Sequence, residues 1–196
     1  MSKISFVKTI VPKGQYKDRE KVGDVYLIHF DPVEKDGMNA YECVECSVSV
    51  SDYNGSEVLD AYEAWKEKHD AAELAYAIRS KVAEIEAYDT SSKVNGFVLN
   101  GMTVWLDKAT RVGLMNSTTI AKAAGQETTT LWLGEVKLEV ECDKAIQLLS
   151  ALEMYALECF NVTAAHKKAV SELKTIKEVE AFDVTADYPS QLKMKV

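Results

Sequence analysis

Hydrophobic and polar positions follow three different rhythms along the chain. Up to residue 54 the pattern is that of strands: Asp24-Val-Tyr-Leu-Ile-His-Phe30 and Tyr41-Glu-Cys-Val-Glu-Cys-Ser-Val-Ser-Val50 are rich in β-branched and aromatic residues. Asp31-Pro32 and Lys35-Asp36-Gly37 supply turn chemistry between them. A small β module, a hairpin or meander, is expected over residues 1–54. The period then changes to that of a helix. Nothing from residue 57 to 88 breaks one, and Val58, Tyr62, Trp65, Ala72, Ala75, Ile78, Val82 and Ile85 recur mostly at spacings of three and four, with His69 on the same stripe. Ser56 is placed to cap it. A helix of roughly 32 residues would be about 48 Å long, more than a small domain covers. It must break near His69-Asp70, pack between two modules, or pair with a partner helix. We read residues 55–90 as a connector.

The third stretch, residues 91–196, mixes both periods. Phe97-Val-Leu-Asn-Gly-Met-Thr-Val-Trp-Leu106 predicts a hairpin turning at Asn100-Gly101, with Leu99 facing Met102 and Phe97 facing Val104. Thr129-Thr-Leu-Trp-Leu-Gly-Glu-Val-Lys-Leu-Glu-Val140 predicts a second, turning at Gly134-Glu135. Leu131, Leu133, Val136, Leu138 and Val140 share its apolar face, and Trp132 lies opposite Lys137, placed for a cation–π pair. The two hairpins are expected to join in one antiparallel sheet covered by helices on one side, an α+β fold. The covering helices are predicted over 108–115 (capped by Asp107), 118–124 (stopped by Gly125), 144–160 (capped by Asp143) and 163–173 (started by Thr163). Thr175-Ile-Lys-Glu178 forms a capping box for a last short helix, and the tail after Pro189 reads as extended. Ile85-Glu-Ala-Tyr-Asp89 recurs as Val179-Glu-Ala-Phe-Asp183, a shared way of ending a helix.

Composition narrows the classes without naming a function. Of 196 residues, 47% are apolar and 28% charged, an ordinary globular mix. With 9 Gly and 3 Pro the chain is too poor in turns for a fibre shaft. The net charge of −8 repels a phosphate backbone, so no nucleic-acid partner is expected. The acidity is uneven: residues 1–90 carry a net −7 and residues 91–196 a net −1. No apolar run reaches the roughly 18 residues of a membrane span, so no membrane partner is expected either. The opening segment, residues 1–6, lacks a secretory leader's apolar core, so folding in a reducing cytosol is expected, with Cys43, Cys46, Cys142 and Cys159 as thiols.

Cys43 and Cys46 form a C-x-x-C, but on a strand their side chains point to opposite faces, one expected buried and the other not, and no second ligand pair completes a metal site. No phosphate-binding glycine loop, zinc-protease motif or nucleophile elbow occurs. His29, His69 and His166 fall in separate segments; His29 is expected to be hydrogen-bonded, and the spacing of Cys159 and His166 does not orient a nucleophile and base. Neither catalysis nor a cofactor is expected. Asn161-Val-Thr163 reads as a helix cap. Arg111 is the only arginine after residue 90; it either grips an anion or pairs with Asp107 or a nearby carbonyl. Trp105 and Trp132 project from the polar faces of their hairpins, where a large aromatic implies a cover: the connector helix, a second subunit or a sugar ring. Trp105, Trp132, Lys137 and Arg111 are therefore the candidate partner- or ligand-binding residues.

The stretches Ser92-Lys-Val-Asn-Gly-Phe97, Trp105-Leu-Asp-Lys-Ala-Thr-Arg111, Gly113-Leu-Met-Asn-Ser117, Thr130-Leu-Trp-Leu-Gly134, Ala145-Ile-Gln-Leu-Leu-Ser-Ala-Leu-Glu-Met-Tyr155 and Ala186-Asp-Tyr-Pro189 resemble an uncharacterised domain family found in bacteriophage and prophage proteins, often described as tail-fibre or tail-associated. The resemblance runs from about residue 83 to 189. It implies a non-enzymatic tail-associated structural or adaptor protein. Its partners would be phage tail or fibre proteins; the length of the connector helix, and not the resemblance, leaves room for a homo-oligomer through that helix. It would reside in the host bacterial cytoplasm during assembly, and in the virion tail if it is incorporated. A tail-fibre assembly chaperone absent from the virion, and a carbohydrate-binding module using Trp105 and Trp132, are the alternatives.

Overall fold

The structure, a computed structural model, describes residues 4–195; the first three residues of the opening segment read as leaderless, and Val196, lie outside the described residues. The fold is α+β, and the chain divides into two compact units between Glu73 and Leu74.

In the first unit four antiparallel strands lie in the order β1-β4-β3-β2: β1 (Ser5–Pro12), β2 (Arg19–Val22), β3 (Val25–Glu34) and β4 (Ala40–Ser49). The β3–β4 hairpin is the expected one; β1 and β2 are additional strands whose alternation is weak because they form the sheet edges. Asp31-Pro32 does not turn the chain. Pro32 has no N–H for the ladder, so the register slips between Phe30 and Val33, with Asp31 at φ 49°. Helix α1 (Gly55–Asp89) begins here, and Asn54, not Ser56, caps it: the Asn54 side-chain oxygen accepts the Ser56 N–H at 3.2 Å. Its Val58 buries against Cys46 and Val48, and the buried Tyr62 ring stacks on Phe30 with centroids 4.0 Å apart. Asp31 accepts a hydrogen bond from Tyr62 Oη at 2.7 Å and pairs with Lys66.

Both C-x-x-C thiols are buried, although they point to opposite faces. One of the two was expected to be exposed; on the side of the sheet that carries Cys43 the Tyr16 ring lies 4.9 Å from Tyr41 and 5.5 Å from His29. His29 is hydrogen-bonded as expected: Nδ1 donates to the Lys17 carbonyl at 2.6 Å, and Nε2 lies 3.3 Å from Glu45 Oε2.

α1 does not break near His69-Asp70. His69 stacks on Trp65, centroids 4.6 Å apart, and the helix runs on unbroken into the second unit. There Ile85 packs with Val170, Val179 and Val184. Ile85 and Val179, the first residues of the two Glu-Ala-aromatic-Asp copies, meet in this one cluster.

After α2 (Ser92–Asn95) come β5 (Gly96–Leu99) and β6 (Met102–Trp105), with the expected register and positive φ at Asn100 and Gly101. Helix α3 (Lys108–Ala123) is continuous through Asn116-Ser117. Strands β7 (Thr128–Leu133) and β8 (Val136–Glu141) pair in the expected register, with Trp132 opposite Lys137. Helix α4 (Cys142–Glu172) is also single: Thr163 caps nothing, because its hydroxyl sits inside the helix, donating to Asp89 Oδ1 at 2.7 Å and lying 3.1 Å from the Cys159 carbonyl. Helix α5 (Ile176–Ala181) opens with the predicted capping box, and β9 (Lys193–Met194) follows.

The hairpins do not share a sheet. The outer edge of β5 is taken in parallel by β9, and β7–β8 stands as a separate ribbon. Both apolar faces instead turn into one core, where Phe97, Leu99, Leu131 and Leu133 meet Leu149 and Leu152 of α4. Side-chain burial, not ladder hydrogen bonding, joins them.

Several carboxylates are held below their ordinary values of 3.8 (Asp) and 4.5 (Glu): Asp31 by hydrogen bonds from Lys66 and Tyr62, Glu73 by Lys8, Asp107 by Thr110, Glu178 by Thr175 and Asp183 by Thr185. A depressed carboxyl binds its proton more weakly in the folded state. Its stabilisation is complete above those ordinary values and is lost as pH falls through the folded ones. Thermal midpoints should therefore be flat from about pH 6 to 5 and fall below about pH 4; a midpoint that rises on acidification would contradict these pairings.

Candidate functional site

The Asp107 carboxylate accepts the Thr110 N–H at 2.9 Å and the Thr110 hydroxyl at 2.6 Å, which fixes the start of α3 directly after Trp105. That engagement removes Asp107 as a partner for Arg111, one turn further on. The Arg111 side chain, buried, reaches across to α4 instead. Its Nε donates to Glu153 Oε1 at 2.8 Å and its Nη1 to the Leu106 carbonyl at 2.7 Å. The expected carbonyl contact is present; the ion pair is with Glu153, a residue 42 positions away that local spacing could not suggest.

This pair lies in a groove of about 520 Å³ lined by Trp105 and Leu106, by Lys108 and Arg111 of α3, and by Ala156, Leu157 and Phe160 of α4. Asp89 and Asn95 also line it. The walls are mainly apolar and unusually open to solvent: Trp105 is 42% exposed, Leu157 49% and Phe160 63%. Sequence reasoning found Trp105 and Arg111 but not Leu157 and Phe160. The available signal was that both fall off the buried stripe of α4 at Leu149, Leu152, Tyr155 and Cys159.

Trp132 also faces outward, 57% exposed, but neither it nor Lys137 lines this groove. Their expected cation–π contact does not form: the cation–π contacts among the described residues join Lys13 to Tyr41, Arg19 to Tyr26 and Tyr53, and Lys66 to Tyr62.

Several titratable groups outside the groove have structural partners. Burial raises the thiols of Cys43, Cys46 (to about 11) and Cys159, which weakens each as a nucleophile. The Cys159 thiol donates to the Val94 carbonyl at 3.4 Å, as does the Tyr155 hydroxyl at 2.7 Å. His166, two turns along the same helix, packs edge-on to Phe182 and Tyr188. No group of three or more metal-ligating side chains occurs among the described residues, and no helix there is long and apolar enough to cross a membrane.

Replacing Arg111 with alanine should destabilise the second unit by about 2 kcal/mol, chiefly because the Leu106 carbonyl loses its buried donor, while the half-exposed Glu153 regains water. Glu153→Gln should cost under about 1 kcal/mol. Urea denaturation of the two single variants and the double variant checks this; equal costs for both singles would contradict it.

An α+β unit with an open apolar groove over a buried ion pair is thus the class that the fold and site define. Residues 76–186 match the family described as a domain of unknown function (DUF4376), and the chain belongs to that family. The match begins and ends slightly earlier than the motifs suggest. No curated protein and no solved structure matches the chain.

Proposed function

We propose that this protein is a non-enzymatic structural or adaptor component associated with a bacteriophage or prophage tail, working through protein–protein contact. The observation that carries the interaction part is the groove: Trp105, Leu157 and Phe160 stand open to solvent around a buried, hydrogen-bonded arginine. Aromatic anchors and arginine around a desolvated centre are the composition of binding hot spots. The tail setting rests on the resemblance of the motifs between residues 83 and 189. Buried thiols with raised pKa values favour binding over catalysis.

Tagged protein, wild type and the Trp105→Ala/Phe160→Ala variant, is used to capture phage structural proteins from an infected lysate, alongside mass spectrometry of purified particles. Retention of a tail protein by the wild type and its loss in the variant is the expected result. Capture in the lysate with absence from particles turns the reading to an assembly chaperone. No tail protein captured and none of the chain in particles overturns it.

A further inference from the structure

The three-stranded sheet ends at β9 and the two-stranded ribbon at β8, and residues of both strands line one groove of about 800 Å³, together with Leu148 and Ala151 of α4. The phase of each ladder fixes which main-chain groups point away from it. The Cys142 N–H donates to the Glu127 carbonyl at 2.9 Å, so Leu138 and Val140, in step with Cys142, turn their main-chain groups toward β7. Glu139 and the N–H of Glu141 turn outward, at the positions where β8 lines the groove. On β9 the Leu192 carbonyl accepts from Val98 at 2.8 Å and the Met194 carbonyl from Asn100 at 3.0 Å, which turns Lys193 and the N–H of Lys195 away from β5. None of these outward groups has a main-chain partner among the described residues. The core is also incompletely closed along this line. Leu138 of β8 and Leu192 and Met194 of β9 are only partly buried, whereas Leu131 and Leu99, one strand further from the groove on either side, are buried.

We propose that this groove takes an extended segment of a partner chain as an added strand, which joins the two sheets into one with the order β6-β5-β9-guest-β8-β7. Two features select a strand as the occupant. The groups left over on both flanks are main-chain donors and acceptors at alternate residues, the row that a strand pairs with and that a helix, whose main chain is bonded within itself, cannot. The apolar side chains left half-covered lie on the inner face of the same two strands, where every second side chain of a guest strand would fall. The guest's chemistry follows from its neighbours. Its inward residues meet Leu148, Ala151 and Met194 and are apolar. Its outward residues stand between Glu139 and Glu141 on one flank and Lys193 and Lys195 on the other, so they are polar and carry no net charge. The other open edges, those of β1, β2, β6 and β7, offer one row of main-chain groups each, not two around a common groove. This slot is separate from the groove of Trp105 and does not depend on the reading given to that groove.

The test titrates the full chain with an acetylated and amidated heptapeptide, Thr-Val-Thr-Val-Thr-Val-Thr, and follows binding by amide hydrogen exchange and NMR shifts. The peptide should slow exchange at the amides of Glu139, Glu141, Lys193 and Lys195, which exchange freely without it. The same peptide N-methylated at alternate residues, which removes the donors of one edge, should bind about tenfold more weakly or worse. Ala151→Trp, at an exposed position, fills the slot and should weaken binding by about tenfold or more while circular dichroism stays unchanged. Glu139→Pro removes an N–H that the β7–β8 ladder does not use, so it should preserve the ribbon and lose the peptide. Trp105→Ala/Phe160→Ala should bind the peptide as wild type does. No binding up to the peptide's solubility limit overturns the proposal. So does binding indifferent to N-methylation and to both slot variants, or protection at β1 or another edge in place of β8 and β9. Peptide binding that fails while Trp105 and Phe160 still capture a tail protein removes the slot alone; the reverse outcome removes only the reading of the Trp105 groove.

Discussion

Phe97→Ala should destabilise the second unit by about 3–5 kcal/mol, the largest loss expected from a single side chain here. Phe97 is fully buried where the two hairpins and α4 meet, among Leu99, Val104, Leu131, Leu133 and Leu152. The hairpins share no ladder among the described residues, so they meet through these side chains. The variant removes apolar burial and leaves a cavity at that junction, whose lining is strand and helix backbone that can close in only partly. Against a stability of about 5–15 kcal/mol for a typical domain, the loss leaves little. Far-UV circular dichroism in urea would show the fall in midpoint, and amide hydrogen exchange would assign it to the second unit. Phe97→Leu, keeping most of the volume, should cost under about 1.5 kcal/mol. A cost below 1 kcal/mol for the alanine variant would mean that the hairpins are held by something other than this core.

Gly96→Ala is expected to cost about 3 kcal/mol, a large effect for one added methyl group. The backbone of Gly96 is ordinary, with φ −74° and ψ 143°, so the penalty has no conformational origin. A Cβ there would lie 2.1 Å from the carbonyl oxygen of Ser92 and 3.2 Å from its carbon, both main-chain atoms of α2 that cannot rotate aside. Either α2 unwinds or the start of β5 shifts, and β5 carries Phe97 and Leu99 into the core while pairing with both β6 and β9. Gly96 is also the cross-strand partner of Trp105, so the shift reaches the groove. Gly101→Ala makes the comparison: its φ of 87° strains a side chain, but nothing lies within 4 Å, and the expected cost is only about 1 kcal/mol. If the two variants lose equally, the close approach to Ser92 is not what fixes glycine at 96.

The local elements of the second unit were legible because each depends on neighbours in sequence. Asn100-Gly101 fixes the first hairpin's register, and Gly134-Glu135 stands at the turn of the second. Asp107 and Thr175 cap the helices that follow them. Predicted breaks at Asn116-Ser117 and before Thr163 failed for one reason: weak helix formers inside α3 and α4 cost tenths of a kcal/mol each, and tertiary burial outweighs that. Thr163 is the clear example, its hydroxyl taken up by Asp89 and Tyr188. The edge strands β1 and β2 were missed because half-exposed positions blur the alternation that marks a strand.

The candidate site was half legible. Trp105 and Arg111 announced themselves, one as an aromatic on a polar face and the other as an isolated arginine. Glu153, Leu157 and Phe160 did not, since a helix sequence shows which residues share a face but not which neighbour that face meets.

The sequence by itself determined the α+β class, the registers of the two later hairpins, the helix starts at Asp107 and Thr175, the outward tryptophans and the concentration of acidity before residue 91. These follow from turn chemistry, capping and periodicity, which act within a few residues. Only the tertiary structure decided that the hairpins meet by side chains instead of edges, that Arg111 turns from Asp107 to Glu153, and that Leu157 and Phe160 of α4 border the groove of Trp105. Those outcomes depend on which long-range arrangement buries the most apolar surface while satisfying each buried donor, a balance that no local pattern encodes.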